Sequence, residues 1–238
     1  GLIFAQSISS TTTQVIADQM NLSDSNVGST VEKFPDPQLA MSVPNYPVTC
    51  GDVYTLAFAA GSTPVTYSIP VDTTYKIRVA NLGVINAAGL SYQQLKQQVE
   101  ALVQRNYPMG GVQFVLTTPA TFLVTITGEV KSTTEKNAWA LTRLSTFVSQ
   151  SFTPYSSSRD ITIVSTNGTK KSYDLFLATR KGDLSQDPYL RPGDKIIINR
   201  ASRKVTITGA VERPGTYELL KGENLKKLIE YYGNGLTE

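Results

Sequence analysis

The segment Val205-Thr206-Ile207-Thr208-Gly209-Ala210-Val211, running on through Glu212-Arg213-Pro214-Gly215-Thr216-Tyr217, decides how the rest of this chain is read. Its first seven residues occur once before, 81 positions earlier, as Val124-Thr125-Ile126-Thr127-Gly128-Glu129-Val130, differing only at Glu129 against Ala210. The period-2 alternation predicts a short strand, ended by a glycine where the backbone turns or meets another segment closely. A helical pattern follows each heptad within about a dozen residues, the spacing of a strand, a turn and a crossover helix. Val-Thr-Ile recurs by chance in β-rich chains. Six identities in seven, each followed by the same pattern, favour an internal repeat.

At 238 residues the chain has room for one large domain or two to three small ones. Its 40% apolar and 17% charged residues are those of a globular protein rather than a disordered one. No apolar run approaches the roughly 18 residues of a membrane-spanning helix. The net charge of +3 is unevenly placed: residues 1–150 hold 8 Lys+Arg against 9 Asp+Glu, and residues 151–238 hold 14 against 10. This bias suits an acidic partner, although a solvated surface is the commoner explanation. The basic residues are scattered and carry no aromatic-basic motif, so no nucleic-acid partner is expected.

The chain has one cysteine and no histidine. Cys50 therefore has no intrachain disulfide partner, and no Cys/His metal site can be assembled. Ser-His-Asp and Cys-His catalysis are excluded outright. Gly1-Leu2-Ile3-Phe4-Ala5-Gln6-Ser7 resembles the tail of a signal peptide.

Residues 6–42, rich in Ser, Thr, Asn and Asp and closed by Phe34-Pro35-Asp36-Pro37, read as a tail or linker with a helical turn around Gln14–Met20. From Pro44 the pattern changes. Tyr46–Phe58 reads as a Gly51-Asp52 turn feeding a strand, followed by strands at Val65–Val71 and Tyr75–Val79. Ser91-Tyr92-Gln93-Gln94 is a capping box opening a helix whose face is Tyr92, Leu95, Val99, Leu102 and Val103. That helix should end near Asn106, because Pro108 disfavours helical geometry at Tyr107. Gly110-Gly111 then leads to a strand at Val112–Leu116.

After the first heptad, Trp139, Leu141, Leu144, Phe147 and Val148 form a helical pattern. Trp139 is a candidate sugar platform, although a lone Trp on such a face is more often core. Asn167-Gly168 predicts a two-residue type I′ hairpin turn between Ile161–Val164 and Tyr173. Asn167-Gly168-Thr169 matches a glycosylation sequon, a triplet frequent by chance. Leu190-Arg191-Pro192-Gly193-Asp194 and the strand Lys195–Asn199 echo Cys50-Gly51-Asp52 and its strand. Arg213-Pro214-Gly215-Thr216 predicts a type II turn with Gly215 at positive φ, where Gly215→Val would be costly. A last helix is expected from about Asn224, with Leu225, Leu228, Ile229 and Tyr232 on one face and Gly233 just past its end.

Taken together, these residues resemble the bacterial polysaccharide export family, whose members join an export domain to SLBB (soluble-ligand-binding β-grasp) modules. The export-domain pattern is similar to Tyr46–Phe58, Gly89–Tyr107 and Val112–Leu116. The β-grasp pattern resembles Val124–Val130 and its helix, Arg159–Val164, Asn167-Gly168, Tyr173-Asp174-Leu175 and Leu190–Asp194, with a second copy from Val205. Lys131-Ser132-Thr133-Thr134 stands where Pro-Gly is usual. The resemblance implies an α+β fold: a tail over 1–43, an export domain over 44–120, a first SLBB β-grasp domain over 121–200 and a second, truncated one over 201–238. It further implies a non-enzymatic component of capsule or exopolysaccharide export in the periplasm or outer membrane. Such a protein works as a ring-like homo-oligomer that binds or conducts the polysaccharide, beside an inner-membrane polysaccharide copolymerase. These 238 residues by themselves are not expected to form an outer-membrane pore, and they leave lipid anchoring open. The truncated second copy is expected to expose a strand edge and an apolar helix face that seek a partner.

Two other classes compete. One is a monomeric small-ligand-binding β-grasp module. The other is a glycan-cleaving enzyme with paired carboxylates roughly 5–9 Å apart. Asp183 and Asp187 are near in sequence, but Asp187 is expected to order the turn before Pro188. The acid-glycine pairs Gly51/Asp52 and Gly193/Asp194 are expected to form turns rather than bind metal or phosphate. No catalytic, cofactor-binding or metal-ligating residue and no cofactor is expected.

Overall fold

A computed structural model describes residues 35–237. The helical turn expected around Gln14–Met20 lies outside the described residues. The fold is a mixture of several sheets and few helices, compatible with α+β. Its buried apolar side chains gather in three clusters.

The first cluster is built on an antiparallel sheet of order β2-β1-β5, from β1 (Val53–Ala60), β2 (Thr63–Pro70) and β5 (Val112–Thr118). A hairpin of β3 (Lys76–Val79) and β4 (Gly83–Asn86) stands beside it. The alternation of β1 buries Tyr54, Leu56 and Phe58, and Tyr54 stacks on Phe114 at 4.8 Å. Helix α2 (Tyr92–Asn106) supplies Leu95, Val99 and Val103. Its capping box closes both ways, the Gln94 amide donating to Ser91 Oγ at 3.3 Å and the Ser91 amide to Gln94 Oε1 at 2.9 Å. The helix ends at Asn106, before Tyr107-Pro108. Part of the expected tail is structured too. Residues Pro37–Ser42 form α1, capped by Asp36 with proline at its first position, and Ala40 is buried in this cluster.

The second cluster lies on a five-stranded sheet of order β7-β6-β10-β8-β9. Its strands are β6 (Thr121–Gly128), β7 (Thr134–Trp139), β8 (Ser156–Val164), β9 (Lys170–Tyr173) and β10 (Lys195–Arg200). Helices α3 (Leu144–Val148) and α4 (Leu175–Lys181) add Leu144, Phe147, Val148 and Leu175. At the centre β10 runs parallel to β6 and antiparallel to β8. The third cluster belongs to a hairpin of β11 (Lys204–Ile207) and β12 (Gly215–Glu218). A short helix α5 (Leu225–Lys227) follows and widens into a π-helical turn over Leu228–Tyr232.

The repeated heptads occupy equivalent places. Val124 pairs with Lys136 and Ile126 with Thr134; 81 residues on, Val205 pairs with Tyr217 and Ile207 with Gly215. Gly128 and Gly209 take φ of 96° and 89°. The Val130 amide donates to the Gly128 carbonyl at 2.9 Å, and Val211 to Gly209 at 2.8 Å. The last valine of each heptad bridges to a residue beyond the following helix, Phe152 or Leu236. The helices begin in step, at Leu144 and Leu225.

Four local expectations fail, each for a physical reason. Trp139 closes β7 instead of starting a helix, because it pairs with Thr121 across the sheet. The loop after β8 is not type I′. The Gly168 amide donates to Ser165 and the Ser165 amide to Thr169, leaving only Gly168 at positive φ, as in a three-residue loop with a G1 bulge. Pro214-Gly215 is not a type II turn: Gly215 has φ of 158° and opens β12 opposite Ile207. Gly233 is right-handed at φ −70°, and Asn234 takes the left-handed position. Glycine is needed at 233 for space, since a Cβ would lie 2.7 Å from the Ile229 carbonyl oxygen and 3.0 Å from Ile207 Cδ1.

The position sensitive to substitution is therefore Gly128. A Cβ there would collide with the Ile198 carbonyl on β10, on top of a left-handed φ costing about 1–3 kcal/mol. Gly209 shares the φ but has nothing within 4 Å. Gly128→Ala should lower the denaturant midpoint clearly more than Gly209→Ala in paired unfolding titrations. Equal shifts would mean that β10 does not approach as closely as described.

Candidate functional site

The third cluster is small, so its position depends on polar ties to the second. Ile207, Val211, Leu219, Leu228 and Tyr232 are buried, and Phe176 of α4 packs against them. Asn224 caps α5 by accepting from the Lys227 amide at 3.0 Å. Leu225, expected on the buried face, is 61% exposed, since the inward face passes to Leu228 and Tyr232 once the helix widens.

Arg159 on β8 joins the two clusters. Its Nε and Nη2 donate to Asp174 Oδ2 at 3.1 and 2.8 Å. Its Nη1 donates to the Glu218 carbonyl at 2.9 Å and to Glu223 Oε2 at 2.6 Å, and Nη2 also reaches Glu223 Oε1 at 3.1 Å. The guanidinium lies 4.8 Å from the centre of the Tyr232 ring. Glu223 is filled further by the Tyr232 hydroxyl, the Leu220 amide and Lys227 Nζ. Burial alone would raise the Glu223 carboxyl, but the donors from Arg159, Lys227, Tyr232 and Leu220 outweigh it and hold the group well below the usual carboxylate range. Burial likewise opposes the charge on Arg159, and the Glu223 and Asp174 carboxylates reverse that and raise it. Sequence reading placed Arg159 in a strand pattern without a role. A charged residue at an inward position of Arg159–Val164 was the signal that could have found it.

The residues singled out in the sequence do not converge. Trp139 is 6% exposed and packs in the first cluster, which leaves no ring face for a sugar. Asp52 and Asp194 each accept from the amide three residues earlier, Thr49 and Arg191, both at 2.8 Å, behind left-handed Gly51 and Gly193. Asp52 also accepts from the Ala120 amide and the hydroxyls of Tyr46 and Tyr54; burial raises its carboxyl and these bonds oppose the rise. Asp187 is not a local turn former. It caps α3 from a distance, accepting the Ser145 amide and hydroxyl at 2.8 and 2.7 Å. Asp183 is spent on Ser185. Cys50 is a free, half-buried thiol. Among the described residues no cluster of His, Cys, Asp or Glu could hold a metal ion, and no helix is long and apolar enough to cross a membrane.

The surface does carry charge. Every Lys and Arg after position 150 is exposed except Arg159, so the basic surplus faces solvent. Beside β11, Arg200 lies over the ring of Tyr155 at 4.9 Å, and Lys204 Nζ bonds the Pro154 carbonyl. Tyr155 is 59% exposed, which puts an aromatic ring among these cations. Elsewhere a shallow groove of about 420 Å3 is uncharged, lined by Asn45, Pro47, Leu90, Gln93, Gln94 and Gln97.

Glu223→Gln should destabilise the chain at pH 7 by on the order of 3 kcal/mol, because a buried guanidinium loses half its counter-charge. The folded pKa of Glu223 is depressed, so its contribution is complete above the ordinary carboxyl pKa and fades as pH falls. The gap between wild type and variant should therefore narrow below about pH 5. A constant gap from pH 7 to pH 3 in urea titrations would refute this assignment.

Residues 204–238 match the SLBB domain family. The matched span opens with β11 of the second hairpin and includes the Glu223 ties. No curated protein matches the chain. The SLBB domain is a non-catalytic binding module found in polysaccharide export proteins, so this segment is in line with the polysaccharide export family.

Proposed function

We propose that this protein is a non-enzymatic component of capsule or exopolysaccharide export, acting in the periplasm or at the outer membrane. It binds or conducts the polymer as a homo-oligomer and partners with an inner-membrane polysaccharide copolymerase. The observation that carries this reading is the SLBB match over 204–238, combined with the same hairpin register 81 residues earlier. That register supports a first SLBB β-grasp domain over 121–200, with 201–238 as a second and 44–120 as the export domain. The three apolar clusters run largely along the same division; Ala40 of the tail and Trp139, Ala140 and Leu141 pack with the first, and Phe176 packs against the third. The exposed cations and Tyr155 fit an acidic, ring-bearing polymer.

In the source bacterium, deleting the gene should abolish surface polysaccharide while polymer is retained in the cell, and a plasmid copy should restore export. Normal surface polysaccharide in the deletion strain would overturn the reading. In solution, affinity for an acidic polysaccharide should be weak and fall as salt rises, because exposed charges are screened over about 8 Å at physiological ionic strength. Equal affinity at low and high salt, or a preference for neutral glycan, would remove the electrostatic account. Retained affinity for neutral oligosaccharide by a monomer would favour the small-ligand module, for which the uncharged carboxamide groove is suited.

A further inference from the structure

The two heptads differ at one residue, and the structure shows what that residue meets. Glu129, where the second copy has Ala210, accepts from Thr153 Oγ1 at 3.2 Å through Oε1 and from Arg200 Nη1 at 3.4 Å through Oε2. The second contact is long for a charge-assisted bond. Among the described residues the Arg200 guanidinium has no other hydrogen bond, and its side chain is 67% exposed, so most of its planar fork is unused. The same guanidinium lies 4.9 Å from the centre of the Tyr155 ring, and Lys204 Nζ reaches the carbonyl of the preceding Pro154. Tyr155 is 59% exposed, yet the loop that carries it is braced. Its carbonyl accepts from the Ala201 amide at 2.8 Å and its amide donates to Thr153 Oγ1 at 3.1 Å. Ser156 Oγ accepts from the Thr153 amide and donates to the Glu129 carbonyl. A large ring is thus held open to solvent beside a cation, with the backbone ordered before any ligand arrives.

We propose that Tyr155 and Arg200 form a subsite for a sugar ring that bears a carboxylate, with Glu129 as the resident anion that the ligand displaces. The apolar face of such a ring matches the exposed face of Tyr155. Its carboxylate matches the free fork of Arg200, which takes a carboxylate through two parallel bonds where Glu129 makes one long one. Lys204 adds positive charge beside them. Glu129 keeps its bond to Thr153 when Arg200 turns to the ligand, so exchange leaves no carboxylate unpaired. Its competition lowers affinity without closing the site. A neutral sugar has nothing to displace Glu129 with, and a polyanion without rings has no use for Tyr155. The site therefore selects for ring and charge together. The inference takes from the export reading only that the ligand is a polysaccharide.

The test uses the whole chain and labelled oligogalacturonate at low salt, with fluorescence anisotropy as readout and labelled polyphosphate as the anion without rings. Wild type should bind oligogalacturonate saturably. Arg200→Ala and Tyr155→Ala should each weaken that binding about fivefold or more, and Glu129→Gln should tighten it about threefold, the scale of single exposed charge contacts. Glu100→Gln in α2 makes the same change of net charge in the first cluster and should bind as wild type does. Tyr155→Ala should leave polyphosphate binding unchanged. Both replaced side chains are exposed, so unaltered thermal midpoints are expected to accompany the losses. Absence of wild-type binding, undiminished binding by either alanine variant, no gain in Glu129→Gln, or an equal gain in Glu100→Gln would each overturn the proposal. So would an equal loss of polyphosphate binding in Tyr155→Ala. Undiminished binding by the variants, together with export lost on gene deletion, would remove this site and leave the export reading standing. Normal surface polysaccharide in the deletion strain, with the variants weakened as expected, would do the reverse.

Discussion

A buried guanidinium holds the last part of this protein to the rest. Taking Arg159 out of water is costly, and neither Asp174 nor Glu223 alone would compensate for it. The two carboxylates come from different apolar clusters and meet only if α4 and the Leu220–Asn224 turn are both in place. The third cluster has few buried side chains of its own. Its alignment is therefore fixed less by apolar area than by geometry, because the planar fork of the arginine accepts few arrangements of its partners. The Tyr232 ring over the guanidinium also leads the helix through its π-helical turn, the widening that brings Leu228 and Tyr232 inward together.

The repeat explains why so little else is needed. A strand-turn-strand-helix unit with a left-handed glycine at its corner has been used twice with the same pairing, and among the described residues the first use is covered on both sides. Where β10 arrives, the glycine serves space as well as backbone angle, so substitution is penalised twice. Where no strand arrives among the described residues, only the angle remains. One sequence thus serves two environments, and the difference lies in neighbours remote from the heptad.

What could be read from the sequence follows the same division between local and remote causes. The capping box at Ser91 and Gln94, the stop before Pro108 and the two heptad strands are local, and they form as their residues dictate. The turns failed where a neighbouring strand set the register. Asn167-Gly168 was stretched to a three-residue loop by the pairing of Val164 with Lys170, and Gly215 was drawn into β12 by Ile207. Trp139 was read with the helix after it because apolar spacing cannot tell the end of a strand from the start of a helix. Arg159 could be marked as a charge at an inward strand position, but not its partners, because Glu223 is 64 residues away and nothing in either segment names the other.

Among the described residues no set of reactive groups converges, and the use of the acidic residues shows why. Asp52, Asp174, Asp187 and Asp194 each accept from backbone amides, and Glu223 neutralises the buried arginine. A carboxylate saturated in this way holds a loop still, and a general acid or base needs a proton free to move. The cations after position 150, Arg159 apart, are in contrast exposed on the surface. That use of the buried acids to fix the frame is in keeping with the non-catalytic SLBB domain matched over 204–238.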